Sequence, residues 1–124
     1  MGLLPATSAS WEQIERFSSR RASTTRRADG SGEAHAPVVR IDAGGIIGRH
    51  PAGFGQLWIV VARSGWVAGG DGRRSDVRVG DAAFIERGER HAKGSDAGMT
   101  AVTLQVYGLE PMPGIDASPG TSAR

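Results

Sequence analysis

The sequence has no cysteine. Disulfides, thiolate metal sites and a cysteine nucleophile are thereby excluded. It has no apolar run near the roughly 20 residues that a bilayer-crossing helix needs, so membrane attachment is not expected. The segment Met1–Ser10 lacks a basic head and an apolar stretch of adequate length, so a signal peptide is not expected and a cytoplasmic setting is the default. Aromatic residues are scarce at 6%, and the apolar fraction of 39% is a little low for a globular chain. Phosphate-cradling and zinc-protease signatures are missing: no Gly-Lys-Ser/Thr loop, no Gly-x-Gly-x-x-Gly opening a helix, no His-Glu-x-x-His. Ser64-Gly65 lacks the flanking pattern of a nucleophile elbow. No nucleotide or organic cofactor is expected.

Glycine, in contrast, is abundant, at 19 of 124 residues, and scattered. Many turns between short strands suit that distribution better than long helices do. The length fits one domain, able to bury roughly two thirds of its unfolded surface. Net charge is only +2, but Arg16, Arg20, Arg21, Arg26 and Arg27 crowd one stretch. With Phe17 alone among them as an aromatic, this reads as a solvated arm, and a nucleic-acid partner is not expected.

The chain divides into an N-terminal arm over 1–32, a β-rich body over 33–108, and a flexible tail over 109–124. In the arm, residues 1–10 read as a loose end. Trp11, Ile14 and Phe17 are spaced as for a short helical turn capped by Ser10, or else for an irregular strand. Ser18–Gly32 is polar, a linker or an exposed edge strand. The body holds about seven short strands with turns every 8–12 residues, and no long helix. Val38–Ile41 closes at Gly44-Gly45. Gln56–Ala62 is the densest apolar run, interrupted by Arg63-Ser64-Gly65 and resumed at Trp66–Ala68. Gly69-Gly70-Asp71-Gly72 is a hairpin signal. Met99–Val106 alternates with period two. The pattern favours an antiparallel sandwich or barrel. Both parities of Leu57–Val61 are apolar, so both faces of that strand should be buried, by packing or by a second copy in a homodimer.

Two Gly-punctuated runs end in histidine: Gly44–His50 and Gly80–His91. Their spacing resembles the two sequence motifs of the cupin family, and the resemblance covers residues 38–106. In the second motif Gly80, Gly88 and His91 are in register, with Glu86 where the family has proline. In the first, Gly44 and His50 hold, Ala52 stands where a second His belongs, Gln56 where a Glu belongs, and Gly65 comes two positions late. The resemblance implies an all-β, single-domain jelly-roll barrel of cupin type. It further implies a divalent metal (Fe, Zn, Ni or Mn) in the barrel, held by what remains of the ligand set: His50, Gln56 and His91. Imidazole suits such ions, whereas an amide oxygen is a weak ligand and Ala52 offers none.

Around these, Trp58 shares the parity of Gln56 and is expected to wall the pocket. Glu89 shares the parity of His91, and Glu86 enters the same loop. His35 has the parity of Val39 and Ile41 on its strand. Simpler readings stand beside these: His50 before Pro51 capping a strand, His91 exposed between Arg90 and Lys93, and Trp58 filling the core. The functional expectation is a small cupin-like protein that binds a divalent metal, a small organic ligand, or both in its cavity. The alternative is a non-catalytic binding or sensor module that has lost its metal.

Overall fold

The structure, a computed structural model, describes residues 1–112 and, as backbone, 116–117. It is built almost wholly of strands: β1 (Gly2–Leu4), β2 (Glu12–Gln13), β3 (Ser23–Thr24), β4 (Ala28–His35), β5 (Val38–Ile41), β6 (Gly45–Pro51), β7 (Gly55–Ala68), β8 (Arg74–Arg78), β9 (Ala82–Ile85), β10 (Arg90–Ser95), β11 (Met99–Pro111) and β12 (Asp116–Ala117). One 3-10 turn, Ala6–Ser8, follows β1. Among the described residues no helix is long and apolar enough to cross a membrane.

Ten strands form one antiparallel sheet that folds over on itself along β7. The first half of β7 lies between β9 and β11, in a wall continued by β1 and β12 on one side and by β4 and β5 on the other. Its second half lies between β8 and β10, in a wall completed by β6. The apparent interruption at Arg63-Ser64-Gly65 is this fold line. The strand runs through it, with Arg63 at a φ of 61° and a register shift against β11 just before. A right-handed strand cannot serve two facing walls without such a local kink. The result is a jelly-roll.

The hairpin expected at Gly69–Gly72 joins β7 to β8. Gly72 donates its N–H to the Gly69 carbonyl and takes a φ of 76°, which an L side chain rarely adopts. Gly94 is needed for closeness instead: the Trp66 ring lies over it, where a Cβ would stand.

The period-two pattern is realised on both faces of β7. Trp58 and Val60 join Ile41, Val67, Val77, Ala83, Ile85, Met99 and Ala101 in the core between the walls. Leu57 packs with Leu4, Phe84, Val106 and Leu109 on the outer face of the first wall, with Ile59 and Leu104 partly buried beside it.

The N-terminal arm departs from expectation. Residues 1–10 contain β1, hydrogen-bonded between β9 and β12, with Met1 and Leu4 buried. Two apolar side chains on a short strand find an edge to complete, and this outweighs the lack of a local signal. The Trp11–Phe17 stretch forms no helix. Glu12–Gln13 pairs with Ser23–Thr24 as a separate ribbon, and Trp11 and Phe17 are exposed at 60% and 85%. A positive φ at Phe17 and Ser18 turns the chain back there. Strand β4 begins at Ala28 and pairs with β11, so it crosses the expected boundary at 32/33. Of the tail expected over 109–124, Leu109–Pro111 belong to β11 and 116–117 to β12; 113–115 and 118–124 lie outside the described residues.

Candidate functional site in the barrel interior

Alternation places the interior side chains. On β10, His91, Lys93 and Ser95 share one parity, and each is only 2% exposed. His91 faces His50 across the β10–β6 register, and Lys93 faces Ile47 after a bulge. On the opposite wall Gln56 pairs with Gln105 and Ile85, and Trp58 with Thr103 and Ala83. Gln56, Trp58 and Thr103 are all buried.

The chemistry centres on Lys93. Its Nζ lies 2.8 Å from His91 Nδ1 and donates to Gln56 Oε1 at 3.3 Å. It also sits 4.6 Å from the centre of the Trp58 ring, a cation–π distance. Among the described residues no carboxylate forms a salt bridge with it. Burial pushes the Lys93 amine down to about 7. Burial, then the Lys93 and His50 charges, push His91 down to about 4, so this imidazole is neutral at pH 7. With the ammonium donating to Nδ1, the His91 proton sits on Nε2. That atom is buried without a partner, as are Trp58 Nε1 and Thr103 Oγ1. Each such group costs on the order of 1–3 kcal/mol.

His50 is exposed, at the rim. Its ring centroid is 4.4 Å from that of His91, and its Nδ1 donates to the Gly48 carbonyl at 2.7 Å. The structure thus brings together His50, His91, Gln56 and Trp58. The simple reading of His91 as exposed is incorrect, because the β10 alternation turns it inward.

The two glutamates do not join them. Glu89 lies just before β10 and turns its carboxylate away. It accepts from the Met1 ammonium at 2.6 Å, from the Gly70 N–H at 3.1 Å and from the Glu86 N–H at 3.1 Å. Burial alone would raise this carboxyl, but the ammonium and the two N–H donors hold it below its usual value. Glu86 is exposed. His35 is also exposed, 2.7 Å from Glu33 Oε2 and edge-on to Phe54.

These neighbours bear on the metal that the motif resemblance implies. Ala52, where a further histidine would stand, is buried in the core with only a methyl to offer. Gln56 and His91 are both engaged by a lysine amine, and Glu89 is turned elsewhere. Among the described residues, no three His, Asp or Glu side chains gather as a metal group. A donor set without a carboxylate, centred on a cationic amine, does not fit a divalent ion.

Lys93 is the residue that the motif spacing passes over. Its signal was in the sequence all the same: it is the only lysine, the other fourteen basic side chains being arginines. A groove of about 800 Å³ lies elsewhere, against Ser64, Trp66, Asp76 and Arg78.

No family model matches the chain, and no curated protein does. Solved structures do. A conserved Streptococcus pyogenes protein of unknown function superposes with a TM-score of 0.56 at 18% identity, over 61% of this chain and 66% of that one. A cupin from Shewanella frigidimarina gives 0.55 at 19% identity, over 71% and 70%. A predicted oxalate decarboxylase from Thermotoga maritima gives 0.55 at 13% identity, over 82% and 96%. Strand order, the fold line in β7 and these likenesses agree on the fold: a cupin-type double-stranded β-helix, here with a lysine in its interior beside His91.

Proposed function

We propose that this cupin binds a small, acceptor-rich organic molecule, of the carboxylate class, in the barrel interior without a metal ion. The observation that carries the reading is the buried Lys93 amine, held between His91 and Gln56 with no carboxylate against it among the described residues. Every unsatisfied group nearby is a donor or can act as one: Trp58 Nε1, Thr103 Oγ1 and His91 Nε2. Buried polar atoms are ordinarily paired, and a cluster of unpaired donors calls for an acceptor. A carboxylate supplies two oxygens and the missing negative charge. Entry is from the His50 side, where the site meets solvent.

Thermal unfolding with a panel of small mono- and dicarboxylates tests this, alongside elemental analysis of the purified chain. A ligand at 100 times its Kd adds about 2.7 kcal/mol to stability. Carboxylates are expected to raise the Tm of the native chain and not that of Lys93→Met. Near-stoichiometric Fe, Zn, Ni or Mn, lost in both His50→Ala and His91→Ala, would overturn the reading in favour of a metal at those two imidazoles.

A further inference from the structure

We propose that Lys93 is an amine nucleophile, and that it condenses with the carbonyl carbon of a small aldehyde or 2-oxo acid bound in the barrel. This rests on the ligand-binding reading above and narrows its ligand class.

Three independent observations lead here. The first is compositional. Fourteen basic side chains of the chain are arginine, which stays protonated and cannot attack a carbonyl. The one lysine is placed at 2% exposure between two sheet walls. The second is the partner set. A lysine kept for structural charge is paired with a carboxylate when buried, since an isolated ammonium is costly there. Lys93 instead meets an imidazole nitrogen, an amide oxygen and an indole face. These are the neighbours of an amine that works in its uncharged form. The third is proton access. His91 Nδ1, 2.8 Å from Nζ, is within direct transfer distance.

The chemistry balances without any further reagent. The Nζ lone pair attacks the carbonyl carbon. A C–N bond forms, and the carbonyl π pair moves to oxygen. Nζ gives a proton to His91 Nδ1, and the imidazolium returns it to the oxygen, leaving a carbinolamine. A second proton transfer by the same route lets that oxygen depart as water while the C=N bond forms. Amine plus carbonyl thus becomes imine plus water. Gln56 Oε1 aims Nζ by accepting one of its hydrogens, and the unpaired Trp58 and Thr103 donors hold the ligand carboxylate.

Reductive trapping tests the proposal on the intact chain. The protein is incubated with glyoxylate or pyruvate and cyanoborohydride, then mapped by tryptic mass spectrometry. A label on Lys93 blocks cleavage there and leaves residues 91–124 as one peptide. The α-amine of Met1 is the other primary amine, and its label falls in the Met1–Arg16 peptide, an internal reference in the same digest.

The expected result is saturable labelling of Lys93 at least about 10-fold faster than of the α-amine. It should be competed by a carboxylate lacking a carbonyl group, absent in Lys93→Arg, and slowed about 100-fold in His91→Asn. If the folded chain is labelled only at the α-amine, the inference fails. Should carboxylates still raise the Tm in that case, the binding reading survives it; should they not, both fall.

Discussion

Two ionisable residues lie four positions apart at the entry to β10 and on it, and they are treated in opposite ways. Glu89 is surrounded by donors: the Met1 ammonium and the Gly70 and Glu86 N–H groups. Lys93 is buried more deeply and, among the described residues, receives no opposite charge. A charge whose partners hold it ionised is a fastening. A charge whose surroundings disfavour ionisation costs stability and is retained for another purpose. Position on the strand sets the difference: Lys93 is on the barrel lining, and Glu89 lies beyond its edge, where the chain's first residue and the β7–β8 hairpin meet.

Removing each charge should therefore move stability in opposite directions. Glu89→Ala leaves three donors without their acceptor, and urea unfolding should show a loss of about 3 kcal/mol. Lys93→Met, of like length and without charge, should leave stability unchanged or raise it by about 1–3 kcal/mol at pH 6. A loss of 2 kcal/mol or more in Lys93→Met would place the lysine among the fastenings.

Titration sharpens the same contrast. Lys93 is at about 7 in the folded chain, below its usual 10.5. Between these values the unfolded chain binds the extra proton, so stability should rise from pH 7 to 10.5 and be insensitive to this group below 7. His91, at about 4 instead of 6.5, adds a second rise across that lower window. Glu89, held low, contributes stability that is lost as pH falls through its folded value. In Lys93→Met the alkaline rise should vanish and the acid loss remain, which chemical unfolding across pH would show.

The smallest effect is expected at the rim. His50→Ala removes an exposed ring and should change stability by less than about 0.5 kcal/mol. It should still weaken carboxylate binding measured by calorimetry. Unchanged affinity would move the entry away from His50.

Much of the barrel could be read in advance because alternation is a local property. Gln56, Trp58 and Val60 on one face of β7 and Leu57 and Ile59 on the other follow from a two-residue period. Of the expected site, His50, Gln56, Trp58 and His91 do come together. Glu86 and Glu89 do not, because both lie in the turn between β9 and β10, outside the strands whose alternation would aim them. The arm was the least legible part. β1 has too few residues to carry a period, and only the open edge of β9 gives it a place.

Composition and patterning alone specified an all-β, cysteine-free sandwich or barrel punctuated by glycine, with one lysine among fourteen arginines. These follow from residue type and from a repeat that acts over a few positions. That the lysine lies against His91 and Gln56 was settled by the fold, as was the Glu89 carboxylate's turn toward the first residue of the chain. Those contacts join residues up to 88 positions apart. Only the closing of two walls along β7 brings such groups within hydrogen-bonding distance, and no local signal encodes it.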